Sequence, residues 1–248
     1  MTQRDLPGPV QQRGIVGSEA VDLDGSIRAG ALGVFADTVF AGPVMQNRPS
    51  PTFGIVTSEL SMNFPTTMPS FGELISMRQD TVEVTRVGGN VTGVILGEGN
   101  RVLSTVHIAL RFIDHGREYE PLGLPKMDAP GFSLATLLGV PEAQEGEAFL
   151  RKKVAPHLAN PSGMLHGGIA VTILEYVASR AVHEETSAWE CESLRVNYLR
   201  PAPLGEEVKV TARRVHTGRN LCVADAKIAL PNGKVTNIAR LSYRKVQE

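Results

Sequence analysis

The run Asn160-Pro-Ser-Gly163-Met-Leu-His166-Gly167-Gly168 sets a histidine and two glycines at the start of a predicted helix. Paired glycines let the backbone turn tightly and let a ligand approach the amides closely. A helix N-terminus adds unpaired N–H groups and the positive end of a dipole, which suit an oxyanion forming during acyl transfer. The bland alternative is a glycine turn capped by its histidine. Two carboxylates stand out as well. Asp37 sits among Leu32, Val34, Phe35, Val39 and Phe40, with Thr38 its one polar neighbour. Glu175 shares a stripe with Thr172, Tyr176 and Ser179, spaced as one helix face that solvent alone would explain. A carboxylate buried in an apolar helix needs a partner or a purpose, so Asp37 is the stronger candidate.

Distance decides how these parts combine. Gly167 and Glu175 lie on one helix, roughly 12 Å apart at ~1.5 Å rise per residue. One reacting group cannot touch both, because catalytic contacts need ~3 Å. A second helix must therefore supply the acid, and the chain supplies it by repeating itself. Gly25–Asp37 lies over Gly163–Glu175 without a gap, each ending on an acid. Ser58–Phe64 then matches Glu192–Tyr198, Gly72-Glu73 matches Gly205-Glu206, and Gly88–Asn90 answers Gly218–Asn220. If the copies pack about a pseudo-twofold axis, their helices run antiparallel and each amide-rich start faces the other's acid. Two composite sites follow. One joins Asn160, His166 and Gly167 to Asp37; the other joins Asp22, Arg28 and Ala29 to Glu175.

The elements that must position these groups have one pattern in both copies, which span about 10–112 and 131–247. A Gly-rich turn leads into one long apolar helix, 29–42 and 167–182, followed by about four strands such as Glu207–Ala212 and Val235–Tyr243, which alternate at period two. This is an α+β class: an antiparallel sheet wrapped around a single central helix, twice over. Two such sheets side by side would hide an edge of each. Between the copies, residues 113–148 are rich in proline and glycine; 113–130 reads as a linker, and Phe132–Leu138 as a short helix opening the second copy.

The string Asn160-x-x-Gly163-x-x-His166-Gly167-Gly168 with an acid nine residues after the histidine resembles the hotdog-fold acyl-CoA thioesterases of the PaaI-like group. Val196–Glu206 resembles that family's strand and turn after the central helix. The resemblance covers nearly all of 131–247; for 10–112 it is fainter and rests on the internal repeat. Together the copies resemble a tandem, or double, hotdog chain. The resemblance implies hydrolysis of a fatty or aryl acyl-CoA to free acid and CoA. It puts Asn160, His166 and Gly167 on the carbonyl-binding positions and Asp37 on the acid, acting as base or nucleophile. Thr57 falls on the hydroxyl that orients the attacking water, or Ser58 if the register slips by one. In the other site Arg28, Asp22, Ala29 and Cys191 replace histidine, asparagine, glycine and hydroxyl. Glu175 keeps the acid there, but Asp22 would add negative charge where an oxyanion forms. One working site per chain is the expectation.

The remaining features narrow the function further. Arg213, Arg214, His216 and Arg219 cluster near a turn; the three arginines are candidates for CoA phosphates, with a solvated face as the alternative. Val39, Phe40, Met62 and Phe64 could line an acyl pocket and serve equally well as core. With 25 Lys+Arg against 26 Asp+Glu and no long basic run, a nucleic-acid footprint is unsupported. Cys191 and Cys222 cannot make a disulfide framework, which fits a reducing compartment. The N-terminus lacks the apolar core of a secretory signal, and no stretch reaches the ~20 apolar residues of a membrane span. A cytoplasmic location is expected, with no membrane partner. No metal or other cofactor is expected, since the histidines and cysteines lack ligand spacing. There is no G-x-S-x-G string, and Gly97–Asn100 lacks the rest of a dinucleotide fingerprint. A hydratase on the same fold would need an Asp and downstream His in a loop pattern not found here. The alternative function is a non-catalytic acyl-CoA-binding or sensing protein. A homo-oligomer built from tandem chains is the expected assembly.

Overall fold

The computed structural model describes residues 12–116, 118, 133–183 and 188–246. Beyond residue 118, the linker expected over 113–130 lies outside the described residues. The first copy forms β1 (Gln12–Ile15), α1 (Leu32–Gln46), β2 (Phe53–Asn63), β3 (Leu74–Thr85), β4 (Gly88–Leu96) and β5 (Val102–Asp114). The second forms α2 (Leu134–Leu138), β6 (Glu142–Gln144), β7 (Glu147–Lys153), α3 (Gly167–Val182), β8 (Trp189–Tyr198), β9 (Glu207–Thr217), β10 (Leu221–Ala229) and β11 (Val235–Lys245). The short helix expected at 132–138 is α2, opened by the Ser133 side chain, which accepts from the Thr136 N–H.

All the described strands join one 11-stranded antiparallel sheet in the order β1-β3-β4-β5-β2-β8-β11-β10-β9-β7-β6. The first five and the next five strands carry the same order in mirror sense, and β2 meets β8 at the seam. Two sheets side by side are thus one sheet, and no edge is left exposed between the copies. The seam agrees with the repeat register read from the sequence. Ser61 lies opposite Arg195, and these two are also counterparts when Ser58–Phe64 is laid over Glu192–Tyr198. A twofold relation between antiparallel neighbours demands such self-pairing at the axis.

Period-two burial drives the strands onto the helices. In β9, Val208, Val210 and Ala212 are buried while Lys209 and Arg213 are exposed. The inward residues pack against α3, and β2 to β5 pack in the same way against α1. Val39, Phe40, Met62 and Phe64 are all buried in this single continuous core.

The first helix is longer than its sequence reads. A 3-10 turn spans Ala29–Ala31, and α1 then continues past Pro43 to Gln46. Pro43 lies near the helix end, and the Pro43 carbonyl accepts from the Asn47 side chain, so the chain stays helical beyond the proline. None of the described helices is long and apolar enough to cross a membrane.

Candidate active site

Helices α1 and α3 cross the seam in antiparallel contact, and glycine makes their approach possible. A Cβ on Gly30 would lie 2.7 Å from Glu175 Cβ, one on Gly33 2.8 Å from Val171 Cβ, and one on Gly168 would overlap Val34 and the Gly33 carbonyl. As the residue number rises in the first copy it falls in the second. That geometry sets Asp37 against the start of α3, where a Cβ on Gly167 would meet Asp37 Oδ2 at 2.7 Å. The cross-copy pairing deduced from helix rise is therefore what the chain adopts.

Asp37 is 8% exposed and held from two sides. Thr57 Oγ1 donates to its Oδ1 at 2.6 Å, and the Gly168 N–H donates to its Oδ2 at 3.0 Å. The choice between Thr57 and Ser58 is settled by a bulge in β2. Thr57 pairs with Leu110 and Glu59 with Ala109, so Ser58 is the extra residue. Ser58 Oγ bonds the Ala109 carbonyl instead.

His166 is the N-cap of α3, and its Nδ1 accepts from the Gly168 N–H at 3.0 Å. This pattern assigns the ring proton to Nε2, which faces Thr38 Oγ1 at 3.4 Å. His166 Nδ1 lies 3.4 Å from Asp37 Oδ2. The capping role and the place beside the acid are both real. Asn160 shapes the preceding loop: its Oδ1 accepts from the Ser162 and Met164 N–H groups at 3.0 and 3.1 Å. Its NH₂ half is the part left to donate to a ligand.

The two glycine amides thus divide their tasks. The Gly168 N–H is shared between the acid and His166 Nδ1, and among the described residues nothing in the chain accepts from the Gly167 N–H. A free helix N-terminal donor beside a positioned carboxylate can polarise a carbonyl while the carboxylate delivers a nucleophile. One participant escaped the sequence reading. Tyr198, in β8, donates its hydroxyl to the Gly167 carbonyl at 2.9 Å. The signal was present in the repeat, where Tyr198 lies over Phe64.

The counterpart site is built differently. Glu175 is fully buried, and Arg28 grips it through Nη2–Oε1 at 2.7 Å and Nε–Oε2 at 3.4 Å. Burial works against the charge on Arg28, but Glu175 outweighs it and holds the guanidinium firmly cationic. Asp22 binds Arg180 at 2.6 Å and stands 3.9 Å from Arg28. Two acids and two arginines close a neutral network across the copies. Burial, and then the Glu175 charge, push the Cys191 thiol well up, so it supplies no nucleophile there.

The basic cluster is not brought to Asp37. β9 stands four places from β2 in the sheet, about 19 Å at ~4.8 Å per strand. Arg213 points away from α3, into an outer-face groove it lines with Arg195, Lys209, Lys227 and Arg240. Arg214 donates its backbone N–H to the Gly146 carbonyl, and Arg219 lies exposed in the turn after β9. Among the described residues, no group of three or more His, Cys, Asp or Glu side chains could hold a metal ion.

Comparison with known proteins adds family evidence. The family model described as "Thioesterase superfamily" matches residues 162–236. The Pseudomonas aeruginosa protein named "Putative esterase PA1618" is 35% identical over 120 residues, covering 46% of this chain and 82% of that protein. Human acyl-coenzyme A thioesterase 13 is 28% identical over 81 residues, which are 32% of this chain and 58% of that enzyme. A crystal structure titled "oleoyl thioesterase (putative)" from Lactobacillus plantarum superposes with a TM-score of 0.65 at 11% identity, covering 96% of both chains. At that identity the likeness is one of fold, and it spans both copies.

Proposed function

Because the chain belongs to the thioesterase superfamily and is a thioester hydrolase, we propose that it cleaves a fatty or aryl acyl-CoA at one composite site between its repeats. The observation that carries this reading is the Asp37 carboxylate set across the seam against Gly167, whose N–H has no acceptor among the described residues. The thioester carbonyl seats on the Gly167 N–H, with the Asn160 amide and His166 at its side. Asp37 takes a proton from water, and the resulting hydroxide adds to the carbonyl carbon. Negative charge collects on the oxygen at Gly167, where one such donor is worth about 10²–10³ in rate. Collapse breaks the C–S bond, and the leaving thiolate takes up the proton from Asp37. Direct attack by Asp37, through an anhydride that water then opens, uses the same atoms.

Glu175 takes no part in this scheme. Arg28 occupies the position from which a carbonyl would be held, and Ala29 and Cys191 stand where the amide-bearing glycine and the hydroxyl would be. Arg213, Arg214 and Arg219 take no part at the carbonyl; on and just after β9, four strands from Thr57, they stay the reading's candidates for the CoA phosphates at the far end of the pantetheine arm. The reading places the protein in the cytoplasm with its CoA esters. One chain already supplies the paired unit, so any larger homo-oligomer would form through surfaces other than the β2–β8 seam.

The test is thiol release from short, medium, long and aryl acyl-CoAs by the wild type, Asp37→Asn and Glu175→Gln. Turnover lost in Asp37→Asn and kept in Glu175→Gln is expected, and the preferred ester separates fatty from aryl. The reverse pattern moves the chemistry to Glu175. CoA-ester binding without turnover on any substrate supports a sensing protein instead.

A further inference from the structure

Gly167 and Gly168 open α3 with the two residues least able to hold their own backbone still. Their amides nevertheless have to stay aimed, one at the acid and one at the substrate. The Gly167 carbonyl and the Gly168 N–H belong to the same planar peptide unit. The carbonyl end accepts from the Tyr198 hydroxyl at 2.9 Å, and the N–H end donates to Asp37 Oδ2 and to His166 Nδ1, each at 3.0 Å. Fixing one end of a rigid plane fixes the other, and a donor at the carbonyl strengthens the N–H opposite it. We propose that Tyr198 is a positioning residue for thioester cleavage, which pins the Gly167–Gly168 peptide so that its N–H holds the Asp37 carboxylate at the reacting carbonyl. This inference rests on the function proposed above and adds a residue to it.

The repeat provides an internal control. The internal repeat, which lays Ser58–Phe64 over Glu192–Tyr198, makes Phe64 the counterpart of Tyr198, and Phe64 is fully buried in the core. A ring without a hydroxyl therefore satisfies packing in that slot. The hydroxyl is kept in the copy that bears His166 and Gly167 and faces Thr57. It is missing from the copy where Arg28, Ala29 and Cys191 hold those places. Burial raises the Tyr198 hydroxyl well above the ordinary tyrosine range, and the nearby Asp37 charge adds to the rise. The group therefore stays protonated, a donor throughout the neutral range.

The experiment is Tyr198→Phe beside Asp37→Asn in the full chain, read by kcat, KM, melting temperature and hydrogen exchange at the Gly168 amide. Removing the hydroxyl leaves the ring in place, so melting should be unchanged. The expected result is a fall in kcat of about ten- to a hundredfold, the scale set by loss of orientation, with KM unchanged and exchange at Gly168 accelerated. Wild-type kcat in Tyr198→Phe, with Asp37→Asn inactive, overturns the role of Tyr198 and leaves the proposed function standing. A loss that comes with a matching rise in KM or a lower melting temperature also overturns it, since that marks a packing role. Full activity in Asp37→Asn removes the proposed function and this inference together.

Discussion

Asp37 is fixed at both oxygens, and the two donors differ in stiffness. The Gly168 N–H belongs to a helix start, whereas Thr57 Oγ1 is a side chain on the seam strand at 2.6 Å. Thr57→Ala removes one donor and leaves the backbone in place; kcat should fall by about tenfold, a step of roughly 1.4 kcal/mol. Gly167→Ala is the harsher change, because its Cβ would sit 2.7 Å from Asp37 Oδ2 and drive the carboxylate out of position. Its loss should reach about a hundredfold or more, the scale of a misplaced catalytic group. Thiol release from the two variants side by side checks the order. Asp37 was legible in the sequence because an acid in an apolar helix is costly without a purpose. The choice of Thr57 over Ser58 was not, since a bulge is a property of strand pairing and leaves no mark on one strand alone. The geometry at Tyr198 was hidden for a similar reason: it acts on a carbonyl far from it in sequence.

At the scale of elements, the same helix pair does opposite things at its two ends. One end brings an acid to a free amide; the other binds Glu175 to Arg28 and Asp22 to Arg180, closing four charges into a neutral group. Buried pairs of this kind contribute little over an apolar filling, yet breaking one by removing a single partner costs about 3–5 kcal/mol. Arg28→Met should therefore destabilise the chain by that order. Arg28→Met with Glu175→Leu should recover much of the loss, because no uncompensated charge remains. Denaturant unfolding of the single and double variants measures both, and thiol release per folded chain should stay at the wild-type level. The helices themselves followed from the sequence, but their ends did not. The first helix reads as ending at 42, yet α1 runs past Pro43 to Gln46, where the Asn47 side chain donates to the Pro43 carbonyl. Packing across the seam was legible through helix rise, since Gly167 and Glu175 on one helix lie too far apart to share a reacting group.

At the scale of the molecule, the tandem chain has a freedom that a dimer of identical copies lacks. In a symmetric dimer any change that improves one site is imposed on the other. Here the copies are joined in one sheet but separately encoded, so one site keeps the turn His166–Gly168 while the other takes Arg28 and Asp22. The sequence carried that asymmetry openly, because four departures fall at aligned positions. It did not show that the two sheets fuse into one, which depends on β2 finding β8 rather than another edge. The asymmetry has a stoichiometric consequence. With Glu175 fully buried and its oxygens engaged by Arg28, the second site has no room for a thioester carbonyl beside its acid. Titration with a non-hydrolysable acyl-CoA thioether should give a single equivalent per chain, and Asp37→Asn should leave that stoichiometry unchanged, since it removes chemistry and keeps the cleft. Two equivalents of equal affinity would mean that the Arg28 network opens to admit substrate, and both copies would then have to be counted as binding units.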